Sequence, residues 1–237
     1  MTSPRLSPPF WRHDAYMLAS LARAVRAIVD PLQASWRQAT VVDLGAGDAP
    51  YRPMFDPART RYVCCDIDDA AEIPIETGRP VPLDDACADA VVSFQVLEHV
   101  WDLDWYLGEA ARLLKDDGRL LLSTHGTWLY HPHPTDFRRW TRDGLVKELE
   151  TRGFAVHSID PVVGPLAWTT QLRTLGYHVV LSKVPLLGPL LSALLCSIMH
   201  LRMKLEDAVT PRYWIETNAS TYVVLASRAN GRDDASR

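Results

Sequence analysis

Residues 41–47, Val-Val-Asp-Leu-Gly-Ala-Gly, constrain the fold more than any other stretch: a short apolar strand, an acidic residue, then two glycines two positions apart. Glycine lacks a Cβ, so a strand that ends in such a turn brings bare backbone up to a ligand. The acidic residue narrows which ligand. An ionised carboxylate only accepts hydrogen bonds, so Asp43 repels a phosphate and suits an ammonium or a hydroxyl.

Further strand-like runs follow at 61–67, 90–94, 119–123, 154–159 and 222–227. Helical spacing of apolar residues predicts a helix over 14–29, another near 104–114 ended by Gly118, and a third from the N-cap Thr141 to Arg152 with Gly153 as its stop. Strands alternating with helices, in near-continuous Val/Leu/Ile runs, indicate an α/β fold: a mostly parallel, doubly wound sheet covered on both faces. The last two strands have no simple crossover between them, because residues 161–218 intervene. That insertion contains the apolar stretch 184–199, too short to span a bilayer and broken by Pro185 and Pro189. A buried or dimer-forming helical element is the first expectation, and contact with a membrane surface the second. Residues 1–12 read as a flexible arm, 69–88 as a proline-broken loop, and 230–237 as a disordered tail.

Composition removes several function classes. Among 237 residues the net charge is −4, so no basic surface is implied for nucleic acid. The four cysteines lack ligand spacing, which argues against structural zinc and against a disulfide scaffold. Pro4, Pro8 and Pro9 occupy the place of a signal peptide's apolar run, so the expected location is cytoplasmic, with the inner face of the membrane as a peripheral alternative.

In an open parallel sheet, ligands bind beyond the carboxyl ends of the strands. Asp43 with Gly45 and Gly47 ends the first strand, Asp66 ends the second and can take the vicinal hydroxyls of a ribose, and Gln95 follows the third. A dinucleotide fingerprint needs a third glycine. Pro50 stands there instead, and Asp48 adds negative charge where a pyrophosphate would approach. The residues therefore suit a nucleoside with a cationic or amino-acid tail, and a nicotinamide-dependent oxidoreductase becomes the weaker alternative.

Four stretches together resemble the class I S-adenosylmethionine-dependent methyltransferases, in the broad group often labelled type 11: residues 41–47, the strand 62–66, residues 91–100 with Leu97-Glu98-His99, and 113–120 with Asp116-Asp117-Gly118. Pro50-Tyr51-Arg52 and the segment from His133 to Thr141 are similar to bacterial members that accompany glycan or natural-product pathways. The resemblance implies a three-layer fold with a seven-stranded sheet, an antiparallel last strand and a helical insertion before it. The cofactor domain would comprise 36–160 plus 219–229, preceded by an arm and helix at 1–35. S-adenosyl-L-methionine is the implied cofactor and S-adenosyl-L-homocysteine the product, with no metal. Asp43, Gly45, Ala46 and Gly47 would line its methionine end, Asp66 its ribose, and Ile67 its adenine, with Leu83 or Asp84 at the adenine edge. Gln95 would lie under the sulfonium and His99 at the substrate mouth.

Methyl transfer to a hydroxyl also needs a proton acceptor. The loop 125–140 carries His125, His131, His133 and Asp136. His131 or His133 is the expected base, Asp136 its orienting partner, and Arg138 or Arg139 an anchor for an anionic acceptor. The acceptor itself reads as a small or glycan-like molecule methylated at oxygen, with a non-catalytic interaction subunit as the alternative.

Overall fold

Apolar side chains along the central strands alternate between two cores, so helices must cover both faces of the sheet. The computed structural model describes residues 3–229, and the expected tail at 230–237 lies outside them. The strands are β1 Ala39–Leu44, β2 Thr60–Asp66, β3 Ile73–Pro74, β4 Ala88–Phe94, β5 Leu114–His125, β6 Phe154–Val162 and β7 Thr221–Arg228. The helices are α1 Ala15–Ala34, α2 Leu103–Leu113, α3 Arg142–Glu150, α4 Pro165–Leu181, α5 Gly188–Val209 and α6 Arg212–Thr217.

The seven strands form one sheet in the order β3-β2-β1-β4-β5-β7-β6. The first five pair in parallel, whereas β7 runs antiparallel to both β5 and β6. Val42, Leu44, Val91 and Leu122 pack toward α2 and α3. Val41, Val92 and Leu121 pack toward α1, Trp168 of α4 and Met203 of α5. The layers, the mixed sheet and the late helical insertion match the expected architecture. Strand order reverses between β1 and β4, the place where such sheets open a ligand crevice.

Several local expectations change. The N-terminal segment is not a free arm: Leu6 packs on the α1-side core, the Phe10 carbonyl meets His200 Nδ1 at 2.6 Å, and His13 stacks on His178 at 4.2 Å. Gly118 does not close a helix in the left-handed conformation but lies inside β5. A Cβ there would come within 3.1 Å of the Ala88 carbonyl oxygen, so glycine allows β5 to approach β4 beside the register shift between Ala88 and Ala90. The 69–88 segment contains the two-residue β3, too short to register as a periodic signal. Thr141 does cap α3, accepting the Gly144 N–H at 3.1 Å, and Gly153 follows with φ +79°. No described helix is long and apolar enough to cross a membrane.

Candidate active site

A cavity of about 540 Å³ opens at the β1/β4 switch point, walled by the ends of β1, β2 and β4, by the loop after β3, and by the 126–140 loop. Asp43, Gly45, Ala46, Gly47, Asp66, Ile67, Gln95 and His99 all line it. The two glycines serve different ends. At Gly45 (φ +81°) a Cβ would lie 2.6 Å from the Val96 methyls, so this glycine is required by packing beneath the site. At Gly47 (φ +53°) a Cβ would meet nothing within 4 Å, which leaves the backbone bare toward the cavity.

The turn's N–H groups are already used. Gly45 and Ala46 both donate to the Cys65 carbonyl, at 2.8 and 3.1 Å, and Gly47 donates to Asp66 Oδ2 at 2.7 Å. None of the three is left to cradle a pyrophosphate, in agreement with the missing third glycine. Asp66 Oδ1 accepts only from Asp68, at 3.2 Å. Its carboxylate therefore keeps lone pairs for hydroxyl donors.

Asp43 is 1 % exposed, and among the described residues its only side-chain hydrogen bond comes from the Tyr62 hydroxyl at 2.6 Å. Burial pushes its carboxyl up to about 7, against the pull of Tyr62, with Asp66 adding to the rise. A buried acid poised near neutrality, with one spare oxygen at the cavity wall, is matched to an incoming cation. Gln95 leaves β4 with φ +58° and holds Ser123 through both its backbone N–H, at 2.9 Å, and its Nε2, at 3.0 Å. Such backbone strain, worth roughly 1–3 kcal/mol, concentrates at ligand sites. Together these groups fit a nucleoside carrying an amino-acid tail.

Leu83 and Asp84 are absent from the cavity wall. Arg112 takes the Leu83 carbonyl at 2.8 Å and the Asp85 carboxylate at 2.6 Å, tying that segment to α2. Ile75 and Thr77, just beyond β3, occupy the wall instead. Sequence reading also missed Arg5, Trp101, Trp105, Tyr106 and Phe137. The Tyr106 hydroxyl bridges Ser93 Oγ at 2.7 Å and the Leu44 carbonyl at 2.8 Å, joining the ends of β4 and β1. A tyrosine on the buried stripe of α2 was its only signal.

The histidines converge as expected. His131 and His133 line the cavity with ring centroids 4.7 Å apart, and His99 lies 5.7 and 6.5 Å from them. His99 Nδ1 meets the Thr135 carbonyl at 2.5 Å. A carbonyl only accepts, so Nδ1 carries that proton and Nε2 of the neutral ring is left as an acceptor. Burial, followed by the neighbouring His125, His133 and His99, lowers the His131 pKa.

Asp136 does not orient an imidazole. It accepts the backbone N–H of His131 at 2.7 Å and pairs with Arg139 at 2.5 Å. Arg139 holds its carboxyl down to about 2, burial opposing. The two arginines do not reach the cavity either. Arg139 spends its donors on Asp136 and on the Trp128, Leu129 and Arg138 carbonyls, and Arg138 spends its own on the Val100 and Trp101 carbonyls. Both fasten the histidine-bearing loop, so neither is free to anchor an anion.

His125 is also displaced from the expected loop role. It ends β5, 3 % exposed, and stacks flat on Trp128 at 4.8 Å. Its Nδ1 lies 3.0 Å from Glu98 Oε1, and Glu98 Oε2 accepts from Thr124 at 2.8 Å. Burial raises the Glu98 carboxyl, but His125 and Thr124 outweigh it and hold the group below its ordinary value. Glu98 does not reach the cavity, and the N-cap of α2 is Asp102, which accepts the Trp105 N–H at 2.9 Å. Trp11 and Tyr16 of the N-terminal region do not line the cavity, and the Tyr16 hydroxyl donates to Asp207 of α5 at 2.7 Å.

A switch-point cavity walled by an acid–glycine turn and by a carboxylate at the end of the next strand is the architecture of the class I S-adenosylmethionine-dependent methyltransferases. The chain belongs to the methyltransferase-domain family, whose profile matches residues 11–180. A protein of Mycolicibacterium smegmatis described as a probable S-adenosylmethionine-dependent methyltransferase is 29 % identical over 133 residues, 49 % of this chain and 52 % of that protein. A Mycobacterium tuberculosis relative of the same description is 28 % identical over 131 residues, 48 % of each chain. The chain thus spans about half the length of the curated relatives it matches. Among solved structures, the cyclase SpnF aligns at TM-score 0.56 and 14 % identity, over 89 % of this chain and 82 % of its own. The Burkholderia thailandensis 1,6-didemethyltoxoflavin-N1-methyltransferase, solved with S-adenosylhomocysteine, aligns at 0.53 and 17 %, over 90 % and 79 %. Both likenesses are of fold.

Proposed function

We propose that the protein transfers a methyl group from S-adenosyl-L-methionine to a hydroxyl oxygen of an uncharged small-molecule or glycan-like acceptor. The observation that carries this reading is the group of three imidazoles, His99, His131 and His133, at the wall of the cavity that Asp43, Gly47 and Asp66 also line. The bound cofactor supplies a methyl carbon already activated by its sulfonium. What remains for the protein is to hold the acceptor oxygen in line and to receive its proton. His131, kept neutral by burial and by its histidine neighbours, is the assigned proton acceptor, with His133 beside it. Asp43 receives the cofactor's ammonium, Asp66 its ribose hydroxyls, and Ile67 its adenine.

Charge in the cavity supports a neutral acceptor. Asp43, Asp48 and Asp66 line it, against Arg5 as the one lysine or arginine among the described lining residues. Trp101, Trp105 and Phe137 offer flat apolar surface suited to a sugar or aromatic ring. Family membership removes the oxidoreductase alternative.

Labelled-methyl transfer across a panel of hydroxyl, amine and carbon acceptors tests the reading. His131→Ala is expected to lower turnover by about 10²–10⁴-fold, the usual contribution of a positioned base, with cofactor affinity unchanged. Full turnover in His131→Ala would remove the assigned base, and full turnover in both His131→Ala and His133→Ala would remove the histidine mechanism. Cofactor binding without transfer to any acceptor class would point to the non-catalytic subunit instead.

A further inference from the structure

α5 is inverted relative to an ordinary surface helix. Its buried face is mostly small or polar (Gly188, Ser192, Cys196 and His200, with Met203 the one large apolar side chain), whereas its exposed face is aliphatic. Leu187, Leu191, Leu194, Ile198, Leu201 and Leu205 are 61, 43, 59, 56, 58 and 61 % exposed. Their spacing alternates four and three residues, the a/d rhythm by which one helix packs along another. A helix lying in a bilayer surface carries instead a broad apolar arc bordered by many lysines and arginines. Here the cationic border is Arg202, paired with Glu206 at 2.7 Å, and Lys204.

We propose that α5 is a self-association helix and that two copies of this chain pack antiparallel along the Leu187–Leu205 seam, about a two-fold axis between Leu194 and Ile198. Such an interface is self-complementary, each residue of the seam meeting its mirror position on the partner. Charge sets the direction. Parallel packing would bring the Lys204 ammonium groups of both copies to the same end, where like charges repel, Arg202 being already balanced by Glu206. Antiparallel packing separates those groups by about 20 Å along the axis at 1.5 Å per residue. Size agrees as well. The six seam residues with Leu190 and Val209 offer on the order of 500 Å² per copy, which brings the pair to about the 1,000 Å² of a specific interface.

The test is the mass of the full chain in solution. Sedimentation at tens of micromolar is expected to give twice 26.6 kDa. Leu194→Glu with Ile198→Glu, both on exposed positions, is expected to give 26.6 kDa with unchanged thermal unfolding and cofactor affinity. Direction is read with a bifunctional thiol reagent spanning the ~10 Å between packed helix axes. With the wild-type chain as blank, it is expected to join Ile198→Cys chains, whose copies lie near the axis. It should leave Leu187→Cys chains separate, their copies being about 27 Å apart along the helices. A monomeric wild type overturns the proposal, as does a glutamate variant that keeps the doubled mass. A monomer that floats with phosphatidylcholine–phosphatidylglycerol vesicles would assign the seam to a lipid surface instead. Joining at residue 187 would overturn the antiparallel arrangement.

Discussion

Replacing Asp43 by asparagine would separate the cost of burying its carboxyl from its value to the ligand. In the folded protein burial pushes this carboxyl up to about 7, from an ordinary value of 3.8. The unfolded chain therefore gives up its proton first. Stability associated with the protonated acid is complete below the unfolded value and drains away as pH rises through the folded one. At ~1.4 kcal/mol per unit, the loss is about 2 kcal/mol at pH 5 and about 4 kcal/mol at pH 8, beyond which it levels off. Asparagine has the same shape, can still accept from Tyr62, and does not titrate. Any fixed cost of the amide is the same at both pH values and cancels in the difference. Denaturant unfolding of the ligand-free proteins should therefore show Asp43→Asn gaining on the wild type by about 2–3 kcal/mol between pH 5 and pH 8. For a chain of this size that corresponds to a relative shift in melting temperature of about 5–12 °C. A stability difference that stays flat with pH would refute the argument that Asp43 is buried against its charge. Cofactor affinity is expected to move the other way, falling in the variant, because the amide cannot offset an ammonium.

Other consequences are simpler to measure. Tyr62→Phe removes the one side-chain donor to Asp43 and should move the pH midpoint of its titration up by about 1–2 units, read by unfolding or by NMR. Gly45→Ala and Gly47→Ala should divide by effect. The first drives a methyl into Val96 and should destabilise the fold by several kcal/mol, whereas the second costs about 1 kcal/mol of backbone strain and mainly weakens cofactor binding in calorimetry. Arg139→Ala frees the carbonyls of the 126–140 loop and leaves Asp136 without its cation. Turnover and loop protection in hydrogen exchange should drop together while the cofactor dissociation constant stays within about twofold.

The part of the cavity wall formed by Asp43, Gly45, Gly47, Asp66 and Gln95 was legible in the sequence because each of these residues lies at or just beyond a strand end. A strand end announces itself locally, by an apolar run followed by a glycine or an acid, and parallel topology then gathers such ends on one edge. Leu83 and Asp84 failed for the converse reason. The wall they were expected to form depends on β3, two residues long, and on Arg112 reaching from α2 to pull their segment away. The arginines illustrate a different limit. Arg138 and Arg139 look like anion anchors in sequence, since nothing local reveals that five loop carbonyls and one aspartate consume their donors. Glu98 and His125 were opaque because they lie 27 positions apart and meet only when the turn after β4 stands beside the end of β5. The α5 stretch was visible as apolar composition. Which side of the helix faced inward required the fold.

The position of β7 between β5 and β6 has a consequence for how the protein is made. The loop that carries His131 and His133 leaves β5 through Gly126 and Thr127, whose N–H groups both bind the Ser220 carbonyl immediately before β7. A Cβ on Gly126 would lie 2.4 Å from the Ala219 oxygen, so the two segments are fitted closely. During synthesis the cofactor half, β1 to β4, can leave the ribosome and begin to fold while this support does not yet exist. The α4–α6 helices must then emerge and move aside before β7 can slot into the gap. The histidine-bearing wall of the cavity is therefore completed by almost the last described residues to be translated. A ribosome-bound chain stopped before residue 219 is expected to hold the nucleoside turn without a finished catalytic loop, a newly made protein able to recognise its cofactor before it can use it.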